Sequence, residues 1–357
     1  MRHRLLVLPI LLVAATLPAA AAAYPWPVKP FDRQHPIRGF FGDPRTVFSS
    51  GVSDNGIEGP GSFSFHQGVD IVAPDGTPVY AIADGRVHYL GAATLNLVTR
   101  SGVTFQYFHV ITVVGEGQRV TARQTVLGYV QAPYGHVHIS EIRNGHVVNP
   151  LQRGHLTPYA DHTIPTVARI LVENQDGVVQ RPAGICGRVQ LVADAYDTPP
   201  VPVPGAFAGL PVSPALVTWT ITRNSKVVVP RHVAADFRHR LPPNSRFWTV
   251  YARGTYQNDT RFGKEQYPAT PGRYLFVLAP RFDTRTLRNG AYLLTVHATD
   301  ERGNTGARST QISVLNSGGG CTGSLEAAGV PPAPPVVLSR SATHRAHPDQ
   351  PGPSSEP

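Results

Sequence analysis

Hydrophobic positions along this chain come in short bursts, rich in β-branched and aromatic residues and separated by turn formers. In the first half the bursts are Val79–Ile82, Arg86–Leu90, Leu95–Thr99, Thr104–Val110, Val126–Val130 and His136–Ile142. Between them fall Pro74-Asp75-Gly76, Ala83-Asp84-Gly85, Ser101-Gly102 and Asn144-Gly145. These residues pre-set or tolerate the backbone angles that a tight turn needs. Runs this short are read as strands, and connections this tight join antiparallel neighbours. The pattern predicts an all-β fold whose first part is an antiparallel, barrel-like sheet domain.

A second β-rich stretch runs from about Thr166 to Asn316, with Val189–Ala193, Val217–Thr222, Arg273–Leu278, Tyr292–Thr299 and Ser309–Val314 as its clearest strands. Asn224-Ser225, Asn289-Gly290 and Gly303-Asn304 punctuate it. Residues Leu287 to Leu315 resemble the closing strands of bacterial immunoglobulin-like β-sandwich domains. At the N-terminus, Arg2 and Arg4 precede an apolar run from Leu5 to Leu17, and small residues follow from Ala19 to Ala23. That order is the pattern of a secretory signal peptide, with cleavage expected near Ala23 and a mature chain starting around Tyr24. An uncleaved anchor is the alternative, disfavoured by Pro9 and Pro18. No later stretch is long and apolar enough to span a bilayer. The expected division is therefore 1–23 signal peptide, 24–160 first domain with an N-terminal extension, 165–321 β-sandwich, and 322–357 a Pro-rich tail with too few core formers to order itself.

Composition sharpens this picture in three places. The formal net charge is +9, carried almost wholly by arginine, since the only lysines after the leader are Lys29, Lys226 and Lys264. A basic exported protein suits an anionic envelope surface. With no dense basic block and no recognition-helix pattern, nucleic acid is not an expected partner. The two cysteines, Cys186 and Cys321, are able to form one disulfide across the second domain in an oxidising compartment.

The candidate chemistry lies in His66, Asp70, His109, His136 and His138. In a regular strand His66 and Asp70 would stand about 13 Å apart, at roughly 3.3 Å per residue. Gly68, between them, gives the chain the freedom to bend and bring imidazole and carboxylate together. His136 and His138 are two apart, so on a strand both imidazoles face one side while Val137 and Ile139 face a core. Two neutral histidines and a carboxylate form a known set of ligands for catalytic zinc that leaves a position open for water. His109 follows Gln106-Tyr107-Phe108 on another predicted strand.

Residues from about Phe65 to Leu151 resemble, in order, the lysostaphin-type zinc endopeptidases of peptidoglycan, the duplicated-hybrid-motif family. The resemblance runs through Phe65-His66-Gln67-Gly68-Val69-Asp70-Ile71, Ala73-Pro74-Asp75-Gly76-Thr77-Pro78-Val79-Tyr80 and Ala83-Asp84-Gly85-Arg86-Val87. It continues through Tyr107-Phe108-His109-Val110, Gly117-Gln118-Arg119-Val120, Leu127-Gly128-Tyr129-Val130, Gly135-His136-Val137-His138 and Asn149-Pro150-Leu151. It implies that His66, Asp70 and His138 bind one Zn2+ per chain. It also implies that His109 and His136 stand beside the metal water as proton-handling or oxyanion-stabilising groups, without deciding which does which. Ser140 departs from the pattern, standing where the family commonly has a glutamate.

The resulting expectation is a secreted, extracytoplasmic zinc metalloendopeptidase acting on peptidoglycan stem peptides or cross-bridges, with the β-sandwich available for a wall or protein partner. A non-catalytic wall-binding scaffold, or an activator of other hydrolases, is the alternative on the same fold. A lipoyl or biotinyl carrier is excluded, because no lysine lies between Lys29 and Lys226 to hold the cofactor. Of the remaining polar groups, His88 and His146 read as surface or packing residues rather than ligands, and His155 and His162 as linker. Phe40-Phe41-Gly42-Asp43-Pro44-Arg45 reads either as an ordinary turn or as one wall of a substrate groove.

Overall fold

A computed structural model describes residues 23–48, 61–258 and 271–316. Residues 1–22, where a signal peptide is expected, and the segment beyond 316, with Cys321, lie outside the described residues. Cys186 is disulfide-bonded. The fold is all-β, and the sole α-helix among the described residues is the single turn Phe247–Val250. No described helix is long and apolar enough to cross a membrane.

The first part is built on a sheet ordered Ile37–Gly39, Val69–Val72, His136–Arg143, Thr104–Phe108, Thr94–Val98, Gly85–Gly91 and Arg119–Val120, with His146–Val148 pairing the central strand His136–Arg143. Every pairing in it is antiparallel. A smaller sheet joins Pro78–Tyr80, Val126–Val130 and Val110–Thr112. Alternation explains how these strands divide their side chains. In Thr104–Phe108, Phe105 and Tyr107 enter the core, and in the central strand Val137 and Ile139 do the same. Burying side chains of this size stabilises the fold by about 1.5–3 kcal/mol each. The opposite face of the central strand is left to His136, His138 and Ser140.

The burst Thr104–Val110 is not one strand. It breaks at His109, whose φ of 62° is left-handed, and resumes as Val110–Thr112 in the smaller sheet. The reversal of φ is what lets one run of chain serve two sheets.

Residues 166–314 supply two further sheets. One is ordered Val179–Gln180, Thr166–Glu173, Arg188–Tyr196, Leu275–Asp283, and the other Ala183–Ile185, Thr305–Val314, Gly290–Thr299, Leu216–Arg223, Lys226–Asp236. Val189, Leu191 and Phe276 from the first meet Trp219, Leu294 and Ile312 from the second in a shared core. Lys226–Asp236 carries Pro230 and lies at a sheet edge, where a missing N–H costs no ladder bond.

The two cores are not cleanly divided by sequence. Phe41, Phe63 and Phe65, from the first part, are buried in the second core. The hairpin Pro44–Phe48/Gly61–Phe65 delivers two of them. Gly42 sits with φ 91°, and a Cβ on it would lie 2.4 Å from the Phe237 ring. Asp43 ties the seam together: Oδ1 accepts from Ser213 N at 2.7 Å and Oδ2 from Phe40 N at 2.8 Å. His155, which the sequence places in the linker, is a buried polar residue: its Nδ1 lies 2.7 Å from Glu141 Oε2, which also accepts from Tyr24 Oη at 2.7 Å.

Candidate metal centre

Asp70 and His138 are direct cross-strand partners, and the row they define continues to Gly39 on one side and Phe108 on the other. Facing residues of an antiparallel pair hold their Cβ atoms about 4.5–5.5 Å apart, close enough for a shared ligand. His66 follows directly on the strand Gly61–Phe65, and the bend between it and Val69–Val72 closes the gap that a straight strand would impose. Gly68 is needed there for space. A Cβ would stand 2.2 Å from the Ile139 carbonyl oxygen and 2.6 Å from His138 Nε2. Gly39 opens the other side of the row, since a Cβ would be 2.6 Å from Asp70 Oδ2.

The outcome is a tight triangle. His66 Nε2 lies 2.9 Å from His138 Nδ1 and 3.1 Å from Asp70 Oδ1, and His138 Nδ1 lies 3.0 Å from the same oxygen. The outer nitrogens fix what these inner atoms offer. His66 Nδ1 is 2.8 Å from the Phe40 carbonyl oxygen. A carbonyl only accepts, so Nδ1 carries the proton and Nε2 presents a lone pair. His138 Nε2 pairs with Ser140 Oγ at 2.8 Å. At most one proton, on His138 Nδ1, can then sit among three atoms rich in lone pairs. The three side chains are buried or nearly so and could hold a metal ion.

Electrostatics favour ligand-ready states. Burial, with the Arg45 guanidinium adding to it, pushes His66 down to about 4, so it is neutral at ordinary pH. Burial opposes the Asp70 anion, yet His66, His136 and Arg45 together outweigh it and hold the carboxyl well below the usual carboxylate range. Arg45 Nη2 donates to Asp70 Oδ2 at 2.7 Å, leaving Oδ1 to face the histidines.

The other two histidines stand at the edge of the triangle. His136 Nε2 is 3.5 Å from Asp70 Oδ1. Its Nδ1 donates to the Tyr134 carbonyl at 2.8 Å, and Arg38 Nη2 approaches Nε2 at 3.4 Å. Burial, then Arg38, lowers His136 well below its ordinary value, so its Nε2 is also an unprotonated acceptor. The His109 ring stacks on Tyr134 with centroids 3.9 Å apart and lies 4.7 Å from the His136 ring. A bulky residue held at positive φ costs of order 1–3 kcal/mol, and such positions cluster at working sites.

All five histidine and aspartate candidates therefore lie in one place. The sequence reading did not single out Arg38, Tyr134 or the Phe40 carbonyl, and it left the segment through Arg45 open between turn and groove wall. The structure sets that segment against the triangle. Ser140, noted only as a departure, is the partner of His138. Ser140→Ala is expected to weaken metal affinity by about 10–100-fold, the usual effect of losing an outer partner of a ligating histidine. Competition with a chromophoric chelator measures this, and unchanged affinity would assign Ser140 no such role.

The described residues thus combine an all-β fold with a buried His/Asp cluster that could hold a metal ion. Residues 64–150 match the model of Peptidase family M23. No curated protein matches the chain. Among solved structures, the catalytic domain of a mutant of the prophage-encoded M23 protein EnpA from Enterococcus faecalis is 26% identical, over 30% of this chain and 92% of that one, with TM-score 0.23. LytU is 24% identical over 34% and 86%, with TM-score 0.24. The SpoIIQ–SpoIIIAH pore-forming complex gives 17% identity over 37% and 90%, with TM-score 0.29.

Proposed function

We propose that the chain is an extracytoplasmic zinc endopeptidase that hydrolyses peptide bonds in bacterial peptidoglycan, in stem peptides or cross-bridges. The observation that carries this is the triangle of His66 Nε2, His138 Nδ1 and Asp70 Oδ1, with the His66 tautomer set by the Phe40 carbonyl. Tetrahedral ligands at about 2.0–2.1 Å from zinc stand about 3.4 Å from one another, so a small outward relaxation of this triangle fits one zinc per chain. His66, Asp70 and His138 would hold it. Bound zinc supplies Lewis-acid polarisation of the scissile carbonyl and lowers the pKa of a water in its open position.

The remaining work falls to the chain itself. His136, with its Nδ1 proton engaged by the Tyr134 carbonyl, offers Nε2 to take a proton or, once protonated, to donate to a developing oxyanion. His109, locked by its backbone turn and by stacking on Tyr134, performs the complementary half of that exchange. Arg38, reaching His136 Nε2 while its guanidinium lies 4.1 Å over the Phe207 ring, keeps positive charge where a tetrahedral oxyanion develops. The arginine-rich character of the chain suits an anionic wall. We take 24–160 as the peptidase module with its extension and 165–321 as an immunoglobulin-like module that adds a surface for the wall or a protein partner.

Digestion of defined peptidoglycans, with released fragments identified by mass spectrometry, tests the assignment. Turnover that survives complete zinc removal would rule it out, and bound zinc without turnover on any wall type would favour the scaffold reading. His109→Ala and His136→Ala are each expected to keep full zinc content while losing about 10²–10⁴-fold in turnover, the range for a positioned acid or base. A variant that lost its zinc instead would move that histidine from proton handling to ligation.

A further inference from the structure

A second group of carboxylates lies far along the chain from the histidines. Asp161, Asp197 and Asp300 each present an oxygen within 4.8 Å of those of the other two, and all three residues are buried. Asp161 comes from the connection between the two parts. Asp197 follows the strand Arg188–Tyr196, and Asp300 follows Gly290–Thr299. The group therefore sits where the chain passes from the first part into the second.

Most of its oxygens are satisfied. Asp161 Oδ1 accepts from Thr163 N and Oγ1, and Oδ2 accepts from Tyr159 Oη at 3.0 Å. Asp300 Oδ1 accepts from the backbone N–H groups of Arg302, Gly303 and Asn304, and Oδ2 from Asn304 Nδ2. Asp197 Oδ1 accepts from Thr198 N at 2.8 Å and lies 3.4 Å from Thr163 Oγ1. Asp197 Oδ2 is the exception: it is buried and has no hydrogen-bond partner, in a residue only 1% exposed. An orphaned carboxylate oxygen among two further buried carboxylates is costly unless something positive joins them. None of the ion pairs found among the described residues reaches these three aspartates.

We propose that Asp161, Asp197 and Asp300 bind a calcium ion that fastens the passage between the two parts of the chain. The donors are all hard oxygens, as calcium prefers, and two oxygens on opposite sides of calcium span up to about 4.8 Å at its bond lengths of roughly 2.4 Å. Asp161 Oδ2 and Asp300 Oδ2 each accept a single hydrogen bond and keep a lone pair for the ion, Asp197 Oδ2 gains its missing partner, and water completes the shell. Its donor set has no histidine, which separates it from the centre proposed for zinc. Neither site depends on the other.

The test uses the purified full chain, stripped on a chelating resin and resupplied with zinc. Adding 1 mM Ca2+ is expected to raise the melting temperature by about 5 °C, the shift expected for a ligand well above its dissociation constant in a chain of this size, with Mg2+ less effective. The shift should vanish in Asp197→Asn, which keeps Oδ1 for Thr198 N–H and removes the charge. Should that variant not fold, the wild-type chain still decides. Tb3+ held beside Asp161 should emit on excitation of Tyr159, and Ca2+ should quench that emission at least 10-fold by displacement. No calcium-dependent shift in the wild type, an equal shift in Asp197→Asn, or equal potency of Mg2+ would each overturn the proposal. So would a melt indifferent to Ca2+ that climbs as pH falls from about 8 towards 4, which would show that a shared proton holds the three carboxyls together.

Discussion

His138→Ala is expected to empty the centre of zinc and reduce peptidoglycan hydrolysis by roughly 10³-fold or more, beyond the 10–100-fold typical of losing an outer partner. This position is the cleanest of the three, because losing its ring leaves the Phe40 carbonyl its donor and Arg45 its carboxylate. His66→Ala should act the same way, and it also leaves the Phe40 carbonyl without its N–H donor. Asp70→Ala should be harsher on the fold. Arg45, only 17% exposed at its side chain, would lose this carboxylate, and breaking a buried pair from one side costs about 3–5 kcal/mol. Zinc content by elemental analysis, read beside a thermal melt, separates the two effects. Full zinc occupancy in His138→Ala with activity intact would mean that the triangle is not the centre.

Removing residues after Thr163 is expected to leave an insoluble or molten first part rather than a free peptidase. Phe41, Phe63 and Phe65 are 1%, 5% and 0% exposed, and their burial depends on the second core. At about 1.5–3 kcal/mol each, their exposure would forfeit about 5–9 kcal/mol against a typical net stability of 5–15. Asp43 would also lose Ser213 N–H, and with it the brace on the segment whose Phe40 carbonyl orients His66. Soluble yield and circular dichroism melting measure this. A truncated chain that melts cooperatively and digests walls at the full rate would show that the second part is an independent appendage.

The strands that carry the candidate chemistry were legible because their signal is local. Val126–Val130 was read with its final boundaries, and His136–Ile142 differs from the strand by one residue. Period-two alternation across His136, Val137, His138 and Ile139 places ligands and core on opposite faces without knowledge of any partner strand. The elements that escaped depend on distant contacts. Val69–Val72 was hidden behind the bend at Gly68, and Ile37–Gly39 is too short to show a period. Lys226–Asp236 is exposed along most of both faces, so it has no alternation to read. Arg38 and Arg45 look like any other arginine until the strand Ile37–Gly39 and the hairpin Pro44–Phe48/Gly61–Phe65 bring them onto residues 98 and 25 positions away. His155 fell in a stretch of turn formers, and its burial follows from Glu141 and Tyr24, which sequence does not bring near it.

The row from Gly39 through Asp70 and His138 to Phe108 has one more implication. Moving the central strand by a single residue against its neighbour would turn both imidazoles inward and expose Val137 and Ile139 to water. The greasy side of the sheet thereby acts as a proofreader for the wet side: the chain cannot reach its lowest energy with the donors misaligned. A polar substitution at Val137, which touches no candidate ligand chemistry itself, would loosen that check and blur the geometry on the far face.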